Sequence, residues 1–186
     1  DLGAVGDDPA ALAQAFDKAR DCDVLITSGG VSVGDADHVL DVLKTRGTID
    51  FWKVAIKPGK PLAVGTIGNT RFFGLPGNPV STAVTFIQLV RPALVALAGG
   101  QPAPALRFEL PTTQALGKRA GREHYLRACI EPGPNGLCVI PVGHQGSGVM
   151  RSMSQANAFV VLAAPTEQVA RDAPVLVEPF AQDIWQ

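Results

Sequence analysis

The chain is poor in the residues that mark specialised protein classes. Its 186 residues include three cysteines, Cys22, Cys129 and Cys138, an odd number without CxxC spacing. That pattern argues against structural zinc and points to a reducing compartment. Cys129 and Cys138 are placed to face each other across a hairpin, but reduced thiols are the better expectation. Sixteen basic against 17 acidic residues leave a net charge of −1, which argues against nucleic acid as a partner. No stretch reaches 18 uninterrupted apolar residues, so no membrane span is predicted. The opening DLGAVGDDP lacks the basic start and apolar centre of a signal peptide. His38, His124 and His144 are dispersed without metal-ligand spacing, and GxSxG, HExxH and a Cys–His pairing are all missing, so hydrolase chemistry has no support.

What is present is a folding composition: 46% hydrophobic and 18% charged, long enough for one large or two small domains. Twenty glycines and 15 prolines, about a fifth of the chain, suit an enzyme with shaped loops better than a helical bundle.

The stretch Asp23–Asp37, DVLITSGGVSVGDAD, organises the rest. Val24-Leu25-Ile26 reads as a short buried strand, and Ser28-Gly29-Gly30 as a turn where backbone amides can approach a ligand. Ser32, Gly34, Asp35 and Asp37 then lead into a helix with Val39, Leu40, Val42 and Leu43 on its apolar side. Strand, glycine turn and helix is an arrangement that holds an anion at the carboxyl end of a parallel sheet. Taken alone, these residues read better as a tight connection that merely needs glycine, since the sequence is neither a Walker motif nor GxGxxG. Asp35 sits where a helix cap belongs, whereas Asp37 suits a divalent cation beside a phosphate.

Upstream, Asp8 is a good N-cap with Pro9 at the first helical position and Leu12, Phe16 and Ala19 on one face. Downstream, Phe51, Lys53, Ala55 and Lys57 fall on one side of an extended segment, and Lys57-Pro58-Gly59-Lys60-Pro61 makes a stiff turn with two ammonium groups. Lysines aimed by such a loop suit an oxyanion, although solvated surface charge is the ordinary fate of lysine. Leu62–Val64 and Arg71–Phe73 predict a hairpin turning at Gly68-Asn69. Gly74–Pro79 is a second shaped loop, entering an apolar helix over residues 79–98 through Asn78 and Ser81, either a helix cap or a second anion cradle. Gly99-Gly100-Gln101-Pro102 is a linker, after which short strands predict a small all-β, barrel-like domain. The predicted domains are 1–100, α/β, and 104–186, all-β.

SGGVSVGDAD, FWKVAIKPGKP and GLPGNPVS, in this order, resemble the molybdopterin molybdenumtransferase family of the MoeA and gephyrin E-domain type. GREHYLRA, GHQGS and SMSQANAFVVL resemble that family's C-terminal β-domain. The resemblance implies a partial three-layer, MogA-like α/β domain whose N-terminal part is missing, followed by a barrel-like domain. It also implies a C-terminal fragment that is inactive alone. The implied activity is insertion of molybdate into adenylyl-molybdopterin with cleavage of the adenylate, aided by Mg2+. By motif, Asp37, Asp7, Lys53 and Lys57 are implied as catalytic, with Asp37 and Asp7 at the metal. Ser28, Gly29, Gly30, Ser32, Gly34, Pro76, Gly77 and Asn78 are implied to bind the cofactor. Lys57, Lys60, Pro61, Ser81, Arg122 and Ser147 are implied to bind molybdate. The family further implies a cytoplasmic homodimer with small-molecule substrates and the molybdopterin adenylyltransferase as a partner. An adenylyltransferase-like enzyme and a gephyrin-like dimerisation scaffold are the alternatives.

Overall fold

A computed structural model describes residues 1–31 and 38–180. The chain divides into two compact units, Asp1–Val54 with Gly59–Arg91, and Ala55–Pro58 with the chain from Pro92 onward. In order, the first contains helix α1 (Pro9–Lys18), strand β1 (Val24–Ser28), helix α2 (His38–Arg46) and strand β2 (Gly47–Trp52). The two-residue strand β3 (Ile56–Lys57) belongs to the second unit, and β4 (Ala63–Ile67) and β5 (Thr70–Leu75) return to the first.

Helix α1 starts as its sequence dictates: Ala11 N–H donates to the Asp8 carboxylate at 2.9 Å, and Pro9 occupies the first turn, where no amide is needed. Its apolar face packs with that of α2 into one core holding Leu25, Ala63, Ile67 and Phe72. Phe16 and Phe72 lie ring to ring at 5.6 Å. The sheet order is β1-β5-β4-β2. β4 and β5 form the expected hairpin, Ile67 opposite Thr70, with Gly68 at φ +59° in the turn. β1 and β5 run parallel, Ser28 beside Leu75, so their carboxyl ends emerge together.

Lys53 adopts φ +88°, which a β-strand does not tolerate, and β2 stops at Trp52. The expected single extended segment from Phe51 to Lys57 is therefore two pieces, and Lys53 and Lys57 belong to different units.

A helical run leaves β5 as α3 (Pro79–Thr85), passes through a π-helical turn at Phe86–Val90 and ends as α4 (Arg91–Leu97). Over Pro79–Leu97 it is long and apolar enough, by length and composition alone, to cross a membrane, which the count of uninterrupted apolar residues misses. Val80, Val84 and Val90 are nevertheless fully buried within the protein.

In the second unit, β6 (Phe108–Pro111), β7 (Leu116–Gly117), β8 (Glu123–Gly133), β9 (Gly136–Pro141), a short helix α5 (Arg151–Ser154), β10 (Ala158–Leu162), β11 (Gln168–Val169) and β12 (Pro174–Pro179) follow. β3, β8, β10, β12 and β6 form a sheet in that order, with β9 beside β8. The chain is thus an α/β unit followed by a β-rich one, as the change of pattern after Gly100 predicts. The second sheet is not closed into a barrel: among the described residues β6 and β9 share no ladder, and their backbones meet in an isolated bridge at Thr112–Val139. Cys138 lies opposite Glu131, not Cys129, so the register keeps those thiols apart and both are free.

Thr70 is fully buried at the start of β5, and its hydroxyl lies within 2.7–2.9 Å of the carbonyls of Ala19, Arg20 and Cys22. It fastens the loop between α1 and β1. Thr70→Val keeps the shape but leaves those carbonyls without this donor, and should lower unfolding free energy by about 1–3 kcal/mol in urea denaturation.

Candidate functional site

The parallel pairing of β1 and β5 brings two sequence-predicted loops together. Gly29 N–H donates to Leu75 O at 2.9 Å, extending the ladder by one bond, and Ser28 Oγ donates to Pro76 O at 3.3 Å. A Cβ on Gly77 would stand 3.5 Å from Gly29 Cα, so the glycines meet backbone to backbone. Gly29 and Gly30 have φ of +96° and +72°, which L side chains rarely adopt. Thr82 Oγ1 also donates to the Pro76 carbonyl, fixing the second loop to α3. Asn78 caps that helix by position, without a side-chain hydrogen bond to it. Asp7 lines the same groove as Ser28, Gly29 and Gly30, a cavity of about 630 Å3 beside β1. Thr27 Oγ1, in a residue of that lining, is buried without a hydrogen-bond partner among the described residues.

Lys53 is tied to the turn through Trp52. Trp52 Nε1 donates to Val31 O at 3.0 Å, and the Lys53 ammonium sits 3.8 Å from the centre of the indole. The backbone closes behind them, with Lys53 N–H on Leu62 O and Val54 N–H on Lys60 O. Lys60 is exposed and Pro61 half-buried in this unit, while Ser81 is buried in α3, 5% exposed.

Lys57 belongs to a separate cationic cluster. β3 runs parallel to β8 with Lys57 opposite His124, so both side chains leave one face of the sheet. Lys118 and Arg122 complete the group around the imidazole. The Lys118 ammonium donates to the carbonyls of Arg122 and Ala164 at 2.9 and 2.8 Å, which fixes its place. His124 is 6% exposed, and burial first, then Lys57, Lys118 and Arg122, hold it down to about 4. Its ring makes no hydrogen bond among the described residues. The sequence hides this histidine, since Lys57 reaches it only through the pairing of β3 with β8.

Arg127 is the second residue that sequence reasoning misses. It is 1% exposed, and its guanidinium donates to Ser152 Oγ and to the carbonyls of His144 and Gly146. Gln145 reads its backbone, accepting from Arg127 N–H and donating to Arg127 O. One buried arginine thereby shapes the loop Gly143–Ser147. Ser147 is half-buried in that loop. Arg127 is odd-numbered on β8 and faces away from His124, so the loop is fastened on the other side of the sheet from the cluster that holds Arg122. An arginine at an inward position of an alternating strand is the signal that was available.

Ser32, Gly34, Asp35 and Asp37 lie outside the described residues. Among the described ones no group of three or more His, Cys, Asp or Glu forms a cation site, and Asp7 is exposed. The described donors thus do not fit Mg2+ by themselves.

This pairing of a glycine-loop α/β unit with a β-rich unit defines a class. Residues 1–96 match the family described as "Probable molybdopterin binding domain" and 109–180 match "MoeA C-terminal region (domain IV)". The chain belongs to the MoeA-type molybdopterin molybdenumtransferase family. It is 43% identical to a molybdopterin molybdenumtransferase of Haemophilus influenzae over 97% of its own length and 45% of that protein's. It is 38% identical to gephyrin of Dictyostelium discoideum over 87% of its length and 26% of that protein's. The molybdopterin biosynthesis MoeA protein of Pyrococcus horikosii superposes with a TM-score of 0.79 at 29% identity, covering 97% of this chain and 43% of that one. The chain spans less than half the length of each of these relatives.

Because His124 is neutral in the folded protein down to about 4, and titrates near the ordinary 6.5 when unfolded, the unfolded state binds more protons between those values. Stability from this group is complete above about 6.5 and is lost as pH falls through about 4. Urea midpoints measured at pH 7 and 4.5 should therefore fall more for the wild type than for His124→Gln. Superimposable profiles would contradict this.

Proposed function

We propose that the full-length protein inserts molybdate into adenylyl-molybdopterin and releases the adenylate, in molybdenum cofactor biosynthesis. One observation supports this most directly: the Ser28–Gly30 and Pro76–Asn78 loops converge at the carboxyl ends of a parallel strand pair, with backbone bared by Gly29 and Gly77. Such a surface suits the phosphate of an organic substrate. Lys53, anchored over Trp52 beside the turn, supplies a fixed positive charge there. In the β-rich unit, Lys57 and Arg122 supply a second cationic group, suited to an oxyanion such as molybdate. Asp7 stands in the same groove as the glycine turn, and with Asp37 it would form the Mg2+ ligand pair. A cytoplasmic homodimer that receives adenylated substrate from the adenylyltransferase completes the proposal, which rests for these points on family resemblance.

A molybdenumtransferase-deficient bacterium complemented with the full-length protein tests this, with nitrate reductase activity as the readout. Wild type should restore it, and Asp37→Ala or Lys57→Ala should each lower it about tenfold or more while the protein still accumulates folded. Full rescue by both variants would sink the catalytic assignment and favour the scaffold reading that the gephyrin relative suggests.

A further inference from the structure

The cluster on the β3–β8 face presents an unusual electrostatic problem. Lys57, Lys118 and Arg122 converge on one imidazole, and no carboxylate acts on it. From β10 the register neighbour of His124 is Leu162, which is apolar and buried. Glu123 and Tyr125, adjacent in sequence, face the opposite side of the strand, where the tyrosine hydroxyl donates to the glutamate. The ring makes no hydrogen bond among the described residues, its nitrogens are not sealed from solvent, and three cations but no carboxylate act on it, so it is open to an acceptor that carries negative charge.

We propose that His124 is a further ligand of the oxyanion, donating a ring N–H to one of its oxygens while Lys57, Lys118 and Arg122 balance its charge. This rests on the reading that Lys57 and Arg122 bind a tetrahedral oxyanion, and it adds both a residue and a property. Lys118 is not free to swing away, because two carbonyls hold its ammonium, so its charge is a fixed part of the pocket. Burial is the first cause of the neutral imidazole and the three cations add to it; a dianion placed there opposes both with its own charge, and the ring takes up a proton. Binding then consumes up to one proton per anion, and affinity falls by up to tenfold per pH unit as pH rises through the neutral range. No covalent or redox step is involved.

Molybdate titrated calorimetrically into the full-length protein at pH 6.5, in two phosphate-free buffers of different ionisation enthalpy, measures proton uptake directly. The wild type should take up at least half a proton per molybdate. His124→Gln should bind molybdate about three- to tenfold more weakly with uptake near zero, whereas Lys57→Ala should lose binding by more than tenfold. Sulfate and phosphate in parallel titrations show whether the site takes tetrahedral dianions in general or molybdate in particular. In the wild type, NMR of labelled histidine should show the His124 ring moving from about 4 into the neutral range when molybdate is added. This last measurement needs no variant to fold. Tight binding without proton uptake, or uptake that persists in His124→Gln, overturns the role of His124 and leaves the oxyanion site standing. Absence of molybdate binding by the wild type overturns the oxyanion site and this inference with it.

Discussion

The parallel register of β1 and β5 is the constraint on which the first unit's site depends. Ser28 and Leu75 are paired, and the next bond, Gly29 N–H to Leu75 O, is the last before both chains turn away. The two loops must separate within a space that a side chain would fill, since a Cβ on Gly77 would already touch Gly29 Cα. A slip of one residue would exchange the faces of β5 and put Phe73 where Phe72 packs against Phe16. The aromatic core therefore enforces the register, and the register sets the glycines edge to edge. Bare backbone at that point follows from packing that lies well below it.

Trp52 and Lys53 show how a strand end is used twice. The indole N–H secures Val31, the residue following the glycine turn, and the indole face holds the lysine. Lys53 reaches that position only through φ +88°, a backbone conformation costly for a residue with a Cβ, which the surrounding bonds to Leu62 and Lys60 stabilise. The same turn ends β2 and releases Ala55–Pro58 to the other unit.

That turn marks where the sequence stops being readable. Local chemistry was plain: Asp8 with Pro9, Gly68-Asn69 in its hairpin, and the glycines after β1 all act through neighbours within a few residues. The alternation Phe51, Lys53, Ala55, Lys57 suggests one strand because period-two patterning carries no sign of a positive φ at a lysine. His124 and Arg127 were hidden for a different reason. Their significance comes from residues far along the chain: 67 positions separate His124 from Lys57, and Arg127 from the loop at Gly146 is a pairing across a hairpin that GHQGS alone does not disclose. Membership in the family was legible from three motifs, because glycine and proline set the local shape of turns within them, as at Ser28-Gly29-Gly30 and Pro76-Gly77-Asn78.

The cationic cluster and the buried arginine represent two solutions to keeping positive charge in a β-rich unit. Arg127 spreads its charge over a hydroxyl and two carbonyls, so its burial is met by fixed dipoles and the loop it holds gains shape. The group at His124 is not closed in that way. Lys118 spends its donors on two carbonyls, Lys57 is exposed, and the imidazole lies within their combined field. A protonated ring there would make a fourth cation at the edge of an apolar core that includes Leu162, so the folded state excludes the proton and leaves the ring unmatched. Dipoles already satisfy the arginine, and an anion would add little to it. At His124 an anion supplies what is missing, and the site is therefore the more responsive of the two.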